Sequence, residues 1–345
     1  VTDGGTLLLT GATGFLGRRL LSALLEGPRR WGRIELLVRS RHRTPAAQRV
    51  ADLLRLLGRD PGFVRPLEGD LSRPGLGLSR ACRRRLHGSL TAIVHVAAET
   101  AIDIPLHVAR ATNVEGTRRL LDLAAGCTSL ERFDHVSWVY AGGSGDPEVP
   151  VREDDFDPDR TFFRTDLERA EHEAEALVRE QNEVPRAIHR LSFTVADDDP
   201  GLRALRAGAE LLGTLRRCAR PDRRVPRLDL VPAGWAARAV AALANTPESV
   251  GRSFHLTVGT DRALPHLPLL HPPLVAALSR RPRLEAWAFH AARALGITAI
   301  FRDRDWEWAH RSTPYLRYLR RPGPPFEAAE TRTLLGRLGV PRPRL

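Results

Sequence analysis

The sequence predicts an α/β fold, a doubly wound parallel sheet followed by a smaller, mainly helical C-terminal region. Three observations carry this. Short apolar runs alternate with segments of helical periodicity through the first half of the chain, as a parallel sheet covered on both faces requires. The first run leads into a glycine-spaced turn, Gly11, Gly14 and Gly17, and then into a helix pattern. Finally, the composition changes near Asp197-Asp198-Asp199-Pro200, with 15 acidic residues against seven arginines before it (151–199) and eight arginines against three acids after it (200–233).

The elements follow in order. Thr6–Thr10 reads as a buried strand, and Phe15–Leu25 carries apolar residues at helical spacing. Ile34–Val38 is the next strand and Ala46–Leu57 the next helix. Val64–Leu67, Ala92–Ala97 and Phe133–Val139 read as further strands, with helices over Val108–Ala125 and Asp166–Gln181. Beyond the boundary the pattern is helical around Trp235–Leu243 and Leu284–Leu295. One strand, Ser253–Val258, is expected to return to the sheet. The expected domains are therefore 1–199 (dinucleotide-binding, Rossmann) and 200–345 (substrate side), interleaved through that strand.

Composition removes whole classes of mechanism. All 53 basic residues among the 345 are arginine, against 41 acids, a net charge of +12. With no lysine, Schiff-base catalysis, a lysine-dependent phosphate loop and a tyrosine–lysine proton relay are excluded. Part of the basicity reads as compositional bias. The densest basic stretch, Arg216, Arg217, Arg220, Arg223 and Arg224, would attract an acidic partner such as an acyl carrier protein or a coenzyme A phosphate. It has no interleaved stacking aromatics, which argues against nucleic acid. Cys82, Cys127 and Cys218 have no metal-like spacing, so no metal is expected. No apolar stretch is long enough to span a membrane, and the first residues have no basic signal region. A cytoplasmic location is expected.

The glycine turn states its own chemistry. The first glycine allows the tight turn, the second lets a pyrophosphate approach the backbone, and the third lets helix pack on strand. The helix N-terminus supplies free N–H groups and the positive end of its dipole. After the second strand an acidic residue would bind a ribose 2′-hydroxyl, whereas an arginine accommodates a 2′-phosphate. Here Leu36-Leu37-Val38 runs into Arg39-Ser40-Arg41-His42-Arg43, with no carboxylate, so NADP(H) is the expected cofactor.

Read together, Thr10–Gly17, Leu37-Val38-Arg39, Glu68-Gly69-Asp70-Leu71-Ser72, Ile93–Ala98, Asn113-Val114-Glu115-Gly116-Thr117 and His135–Tyr140 resemble the extended short-chain dehydrogenase/reductase superfamily. The branch they are most similar to is the thioester-reductase and fatty-acyl-CoA-reductase group. The resemblance implies that Gly11, Thr13, Gly14, Phe15 and Leu16 cradle the pyrophosphate and that Arg39 meets the 2′-phosphate. It implies that Asp70 and Leu71 border adenine, that Ala97, Ala98 and Glu99 line the path to the nicotinamide ribose, and that Asn113 is a structural polar residue of the fourth helix. Ser137 falls where the branch keeps a hydroxyl pair that orients a substrate carbonyl, with Trp138 in place of the second hydroxyl.

The same resemblance exposes a gap. The superfamily uses a tyrosine and, four residues later, a lysine to move the proton. The segment that should carry them, Thr161–Val178, has two possible registers. One puts Leu167 and Glu171 at the two positions; the other puts Phe163 and Leu167 there. The first matches the Ala174-Glu175-x-Leu177-Val178 ending better, and neither supplies a tyrosine. Three readings follow. The first is an altered NADPH-dependent reductase of acyl thioesters, with Ser137 and Tyr140 as candidate oxyanion donors. The second is a redox-neutral enzyme using Glu171, His172 or Asp166 as base, in the manner of a Dieckmann-type ring closure. The third is a non-catalytic NADP(H)-binding regulator or scaffold. Glu168, Glu171, Glu173 and Glu175 otherwise read as a solvated acidic helix face, Tyr140 as a rim aromatic and His95 as a core histidine. Trp306, Trp308, Tyr315 and Tyr318 read chiefly as packing residues.

Overall fold

The computed structural model describes residues 4–28, 31–59, 61–143, 146, 149–196, 227–259, 264–265, 318 and 323–343. Its strands are β1 (Thr6–Thr10), β2 (Arg33–Val38), β3 (Val64–Glu68), β4 (Leu90–His95), β5 (Arg132–Trp138), β6 (Arg186–Leu191), β7 (Phe193–Val195), β8 (Arg227–Leu228), β9 (Leu230–Pro232), β10 (Ser253–Leu256) and β11 (Leu264–Pro265). Its α-helices are α1 (Phe15–Glu26), α2 (Ala46–Leu56), α3 (Arg80–His87), α4 (Leu106–Ala109), α5 (Glu115–Ala125), α6 (Asp166–Glu180), α7 (Ala233–Ala244) and α8 (Ala329–Arg337). Seven strands form one parallel sheet in the order β10-β6-β5-β4-β1-β2-β3. The chain winds outward from β1 in both directions, so a switch point lies between β1 and β4, where open α/β sheets bind ligands beyond the strands' carboxyl ends.

Local chemistry accounts for the elements. The central strand β1 is buried throughout Leu7, Leu8 and Leu9, with successive side chains entering opposite cores. One core packs β1, β2 and β10 against α1 and the alanine-rich α7; the other packs β3, β4 and β5 against α5. Pro66 interrupts β3, which is tolerable because β3 is the sheet's edge. Thr165 caps α6, its side chain accepting from the Glu168 N–H, while Asp166 and Glu168 complement the dipole in the first turn.

Several boundaries differ from expectation. The helix expected over 108–125 is α4 and α5 joined by a π-helical turn at Arg110–Val114, which widens the helix locally and re-aims Asn113. The strand at 253–258 ends at Leu256, and it does pair with β6 in the main sheet. The strand β6 and the helices α3 and α8 were not expected, because Arg186–Leu191 (RAIHRL) and α3 (RACRRRLH) are too charged to show clear periodicity. The helix expected at 284–295 lies outside the described residues.

The chain divides into two compact units, one of residues 1–202, 229–263 and 324–345, the other of residues 203–228 and 264–323. In the first, the C-terminal segment is tied down by a bridge between Val151 and Phe326. There the Glu153 carboxylate accepts from the Glu330 and Thr331 N–H groups and from the Thr331 hydroxyl, and so caps α8. In the second, β8 and β11 pair antiparallel. No helix among the described residues is long and apolar enough to cross a membrane.

Candidate active site

The site is built at the carboxyl ends of β1, β2, β4 and β5. After β1 the chain turns through Gly11, which has φ +72°, and the Gly14 N–H closes the turn on the Gly11 carbonyl at 2.9 Å. A Cβ on Gly11 would lie 2.7 Å from the Ala97 nitrogen, and one on Gly17 would overlap the Gly11 carbonyl. Only glycine fits both places. The α1 N-cap is Gly14, which brings no side chain over the first-turn N–H groups. Thr13 and Phe15 are exposed at this turn and Leu16 is half-buried behind it. A side-chain-free concave backbone at a helix N-terminus fits a dinucleotide pyrophosphate.

Arginines border the cradle. Arg39 stands exposed just past β2, and Arg49, on α2, reaches back to it. Arg49 donates Nη1 to the Arg39 carbonyl at 2.6 Å and Nη2 to the Thr13 hydroxyl at 3.0 Å. Burial, then the charges of Arg41 and Arg39, hold the Arg49 pKa below its ordinary value. Cations crowded together in this way suit a phosphate dianion. Arg49 is a residue that sequence reasoning missed; its spacing from Arg39 on the next helix is the only trace there. Beyond β3, Asp70 accepts from the Ser72 N–H and hydroxyl at 2.9 and 2.7 Å, and Leu71 is buried with its carbonyl held by Arg119.

Past β4, the Thr10 hydroxyl oxygen accepts from the Val96 and Ala97 N–H groups at 3.1 and 3.2 Å. Its hydrogen is then available to His95 Nδ1, 2.8 Å away, which places the His95 ring proton on Nε2 toward Thr117 at 3.0 Å. His95 is fully committed and buried, with burial and then His135 holding its pKa well down. Ala98 is exposed and Glu99 half-buried in the same loop. Asn113 gathers the far side. Its Oδ1 accepts from the Glu99 N–H at 2.8 Å, and its Nδ2 donates to the Glu99 carbonyl at 3.0 Å and to Glu171 Oε1 at 2.7 Å.

Helix α6 departs from its expected character. Glu168, Glu171 and Glu175 are buried, not solvated. Glu168 pairs with Arg160 and Arg164, and Glu175 with Arg190 and Arg179. Of these arginines, Arg160 and Arg190 sit on other elements, and the helix pattern alone cannot announce them. Glu173 pairs with Arg110 and Arg169 at the surface. Glu171 pairs with no cation among the described residues: burial, only partly offset by Asn113, pushes its pKa up to about 8. Leu167, one turn earlier, is buried.

The two candidate hydroxyls are already engaged. The Ser137 hydroxyl donates to Glu175 Oε2 at 2.9 Å, on the α6 face of β5. Tyr140 is buried in an aromatic cluster with Trp138, Phe193 and Phe326, its ring 4.1 Å under the Arg164 guanidinium, and burial pushes its phenol up to about 12. His172 donates from Nδ1 to the Ala141 carbonyl at 2.8 Å and stacks on Phe156. Asp166 accepts from the Leu106 N–H at the surface. Among the described residues no group of acids, histidines and cysteines is arranged to hold a metal. Arg216–Arg224, Trp306, Trp308 and Tyr315 lie outside the described residues.

Residues 9–240 match the family model of the male sterility protein, an NAD-binding family. The chain is 30% identical over 263 residues to a linear gramicidin synthase of Brevibacillus parabrevis, covering 72% of this chain and 5% of that protein. It is 36% identical over 148 residues to fatty acyl-CoA reductase 1 of Mus musculus, covering 40% of this chain and 29% of that one. The chain thus spans only a small part of these relatives. Among solved structures, the terminal R domain of the myxalamid PKS-NRPS biosynthetic pathway superposes with a TM-score of 0.71 at 26% identity, covering 100% of this chain and 88% of that one. The fold and its glycine cradle thus define a nicotinamide-dinucleotide-binding protein. The chain belongs to the male sterility protein family, in the thioester-reductase-like branch of the extended short-chain dehydrogenase/reductases, and it is an NAD(P)H-binding protein.

Proposed function

We propose that this chain reduces an acyl thioester, presented on a carrier protein or on coenzyme A, with NADPH and without the tyrosine–lysine relay. The observation that supports the cofactor half of this reading is the Arg49 bridge between the Thr13 hydroxyl and the Arg39 carbonyl, which sets the Arg49 guanidinium beside the glycine cradle and within electrostatic reach of Arg39. Gly11, Thr13, Gly14, Phe15 and Leu16 would hold the pyrophosphate, and Arg39 with Arg49 the 2′-phosphate. Asp70 and Leu71 would border adenine, while Ala97, Ala98, Glu99 and Asn113 would face the nicotinamide half. Bound there, NADPH supplies a hydride to the substrate's carbonyl carbon. The similarity to a gramicidin synthase supports a carrier-bound substrate, and an acidic carrier would suit a chain of net charge +12.

The protein's own part in the chemistry is narrowed by what is engaged. Ser137 is tied to Glu175 and Tyr140 is buried under Arg164, so neither hydroxyl is poised to stabilise an oxyanion. That same engagement favours, as a second reading, a redox-neutral acyl rearrangement on the retained cofactor scaffold. One experiment separates them. The protein is incubated with acyl-CoA and acyl-pantetheine substrates while NADPH absorbance and products are followed together. Aldehyde or alcohol formed in step with NADPH consumption supports the reductase. Product formed with no NADPH consumed supports the redox-neutral enzyme. Cofactor binding with no product from any thioester would leave a non-catalytic NADP(H)-binding protein.

A further inference from the structure

We propose that Glu171 is the proton carrier of this site, a carboxylic acid held by Asn113 of the π-helical turn, beside the loop that follows β4, and that it protonates the substrate oxygen and takes the proton back. The inference rests on the reductase reading and deepens it.

The geometry begins with Asn113. Its amide is oriented by Glu99 on both sides, since Oδ1 accepts from the Glu99 N–H and Nδ2 donates to the Glu99 carbonyl. The second Nδ2 hydrogen must therefore point at Glu171 Oε1, 2.7 Å away. Glu171 is thus an acceptor at Oε1, which leaves Oε2 as the oxygen that would carry the hydrogen when the group is an acid. The π-helical turn at Arg110–Val114 creates this aim, and such turns cluster at functional sites.

The charges around Glu171 explain why it keeps its proton. On its own helix Glu175, like in sign, raises the Glu171 pKa further and is itself paired with Arg190 and Arg179. Arg110, on the π turn packed against α6, is spent on Glu173. On β5, His135 is buried and held neutral, its pKa pushed down to about 4. From the loop after β4, Glu99 offers Asn113 its backbone. Among the described residues Glu171 has one neutral hydrogen bond and no cation partner, and burial pushes it up to about 8, which suits a group that must give a proton and regain it.

The step balances. Once hydride has reached the carbonyl carbon, the substrate oxygen takes the Oε2 proton and becomes a hydroxyl, leaving a Glu171 carboxylate. The carbon–sulfur bond then breaks, the thiolate departs and is protonated by water, and the hydroxyl proton returns to Glu171 as the aldehyde forms. Glu171 ends as it began.

The test uses the whole chain with NADPH and an acyl-CoA. Glu171→Gln keeps an acceptor for Asn113 and removes the acid, so kcat should fall by about 10²–10⁴ while the NADPH dissociation constant changes less than about threefold. Wild-type kcat should decline above pH 8, and infrared difference spectra should show a carboxylic-acid carbonyl band that titrates there and is absent from Glu171→Gln. A variant that loses NADPH affinity but keeps kcat would overturn the proposal and make Glu171 a cofactor ligand. Absence of the acid band at pH 7 would overturn it too. If the wild type consumes no NADPH on any thioester, the reductase reading fails, yet the infrared band still decides whether Glu171 is held as an acid.

Discussion

Arg190, on β6, meets Glu175, on α6, with both side chains fully buried: Nη2 lies 2.6 Å from Oε1 and Nε 3.0 Å from Oε2. Arg190 also donates to the carbonyls of Glu153 and Asp155, and Glu175 accepts from Ser137 and Arg179. One ion pair therefore binds the sheet, α6 and the 153–155 segment together. Burial alone would raise the Glu175 pKa, but Arg190 and Arg179 hold it down to about 2, so it is charged at all working pH values. Breaking a buried pair from one side strands the other charge. Glu175→Leu should cost about 3–5 kcal/mol in urea unfolding, whereas Ser137→Ala should cost about 1.5–3 kcal/mol, the worth of a hydrogen bond to a charged group. Loss of turnover in Ser137→Ala with unchanged stability would instead make Ser137 a catalytic hydroxyl.

The arginine bridge gives a cofactor prediction. Arg39→Ala and Arg49→Ala should each weaken NADPH binding about 10–100-fold, from the loss of about 1.5–3 kcal/mol per charge-assisted contact. NADH binding, which has no 2′-phosphate to lose, should change little. Calorimetric titration of both cofactors reads the difference directly.

The glycine cradle is a steric claim. Gly11→Ala places a methyl 2.7 Å from the Ala97 nitrogen at a backbone φ of +72°, so the β1 turn and the β4 loop must part. We expect a loss of about 1–3 kcal/mol in stability. NADPH affinity should fall too, seen as lost thermal stabilisation by the cofactor.

Acid should destabilise the fold in a defined window. His95, His135 and His255 are buried, and burial holds all three below their ordinary value, His135 to about 4 and His255 to about 3. The unfolded chain binds their protons near pH 6.5 and the folded chain does not. Their contribution is therefore full above pH 6.5 and is lost as pH falls toward 4, at up to about 1.4 kcal/mol per pH unit for each group. Glu171 has the opposite sign: its raised pKa favours the fold below pH 4.5, and that contribution is lost as pH rises toward 8. Urea midpoints from pH 4.5 to 8.5 should show the acid slope, and His135→Phe should flatten it.

Much of this was legible in the sequence, and most of what was not depends on partners from other elements. The strand Leu7-Leu8-Leu9 and the Gly11/Gly14/Gly17 turn announce the cradle because period and glycine spacing are local properties. The two arms of the relay, Leu167 and Glu171, could be located only by resemblance. The burial of Glu168, Glu171 and Glu175 was not legible, because each acid's state depends on a partner on another element: Arg160, Asn113 or Arg190. The same holds for β6, whose His189 and Arg190 are buried against Asp134 and Glu175. Arg49 was missed for a different reason. Its role rests on α2 turning one side chain back onto the Arg39 carbonyl and Thr13, which the spacing from Arg39 alone does not announce.

With the cofactor cradle kept, Glu171 on α6 would stand in for the tyrosine–lysine relay. Single-turnover kinetics tests it most directly, with NADPH-loaded wild type and Glu171→Gln mixed with an acyl thioester and NADPH oxidation, free thiol and aldehyde measured together. Equal amounts of oxidised cofactor, thiol and aldehyde are expected from the wild type, and the same products from Glu171→Gln about 10²–10⁴ times more slowly. Thiol released without NADPH oxidation, or equal rates from the two proteins, would contradict it.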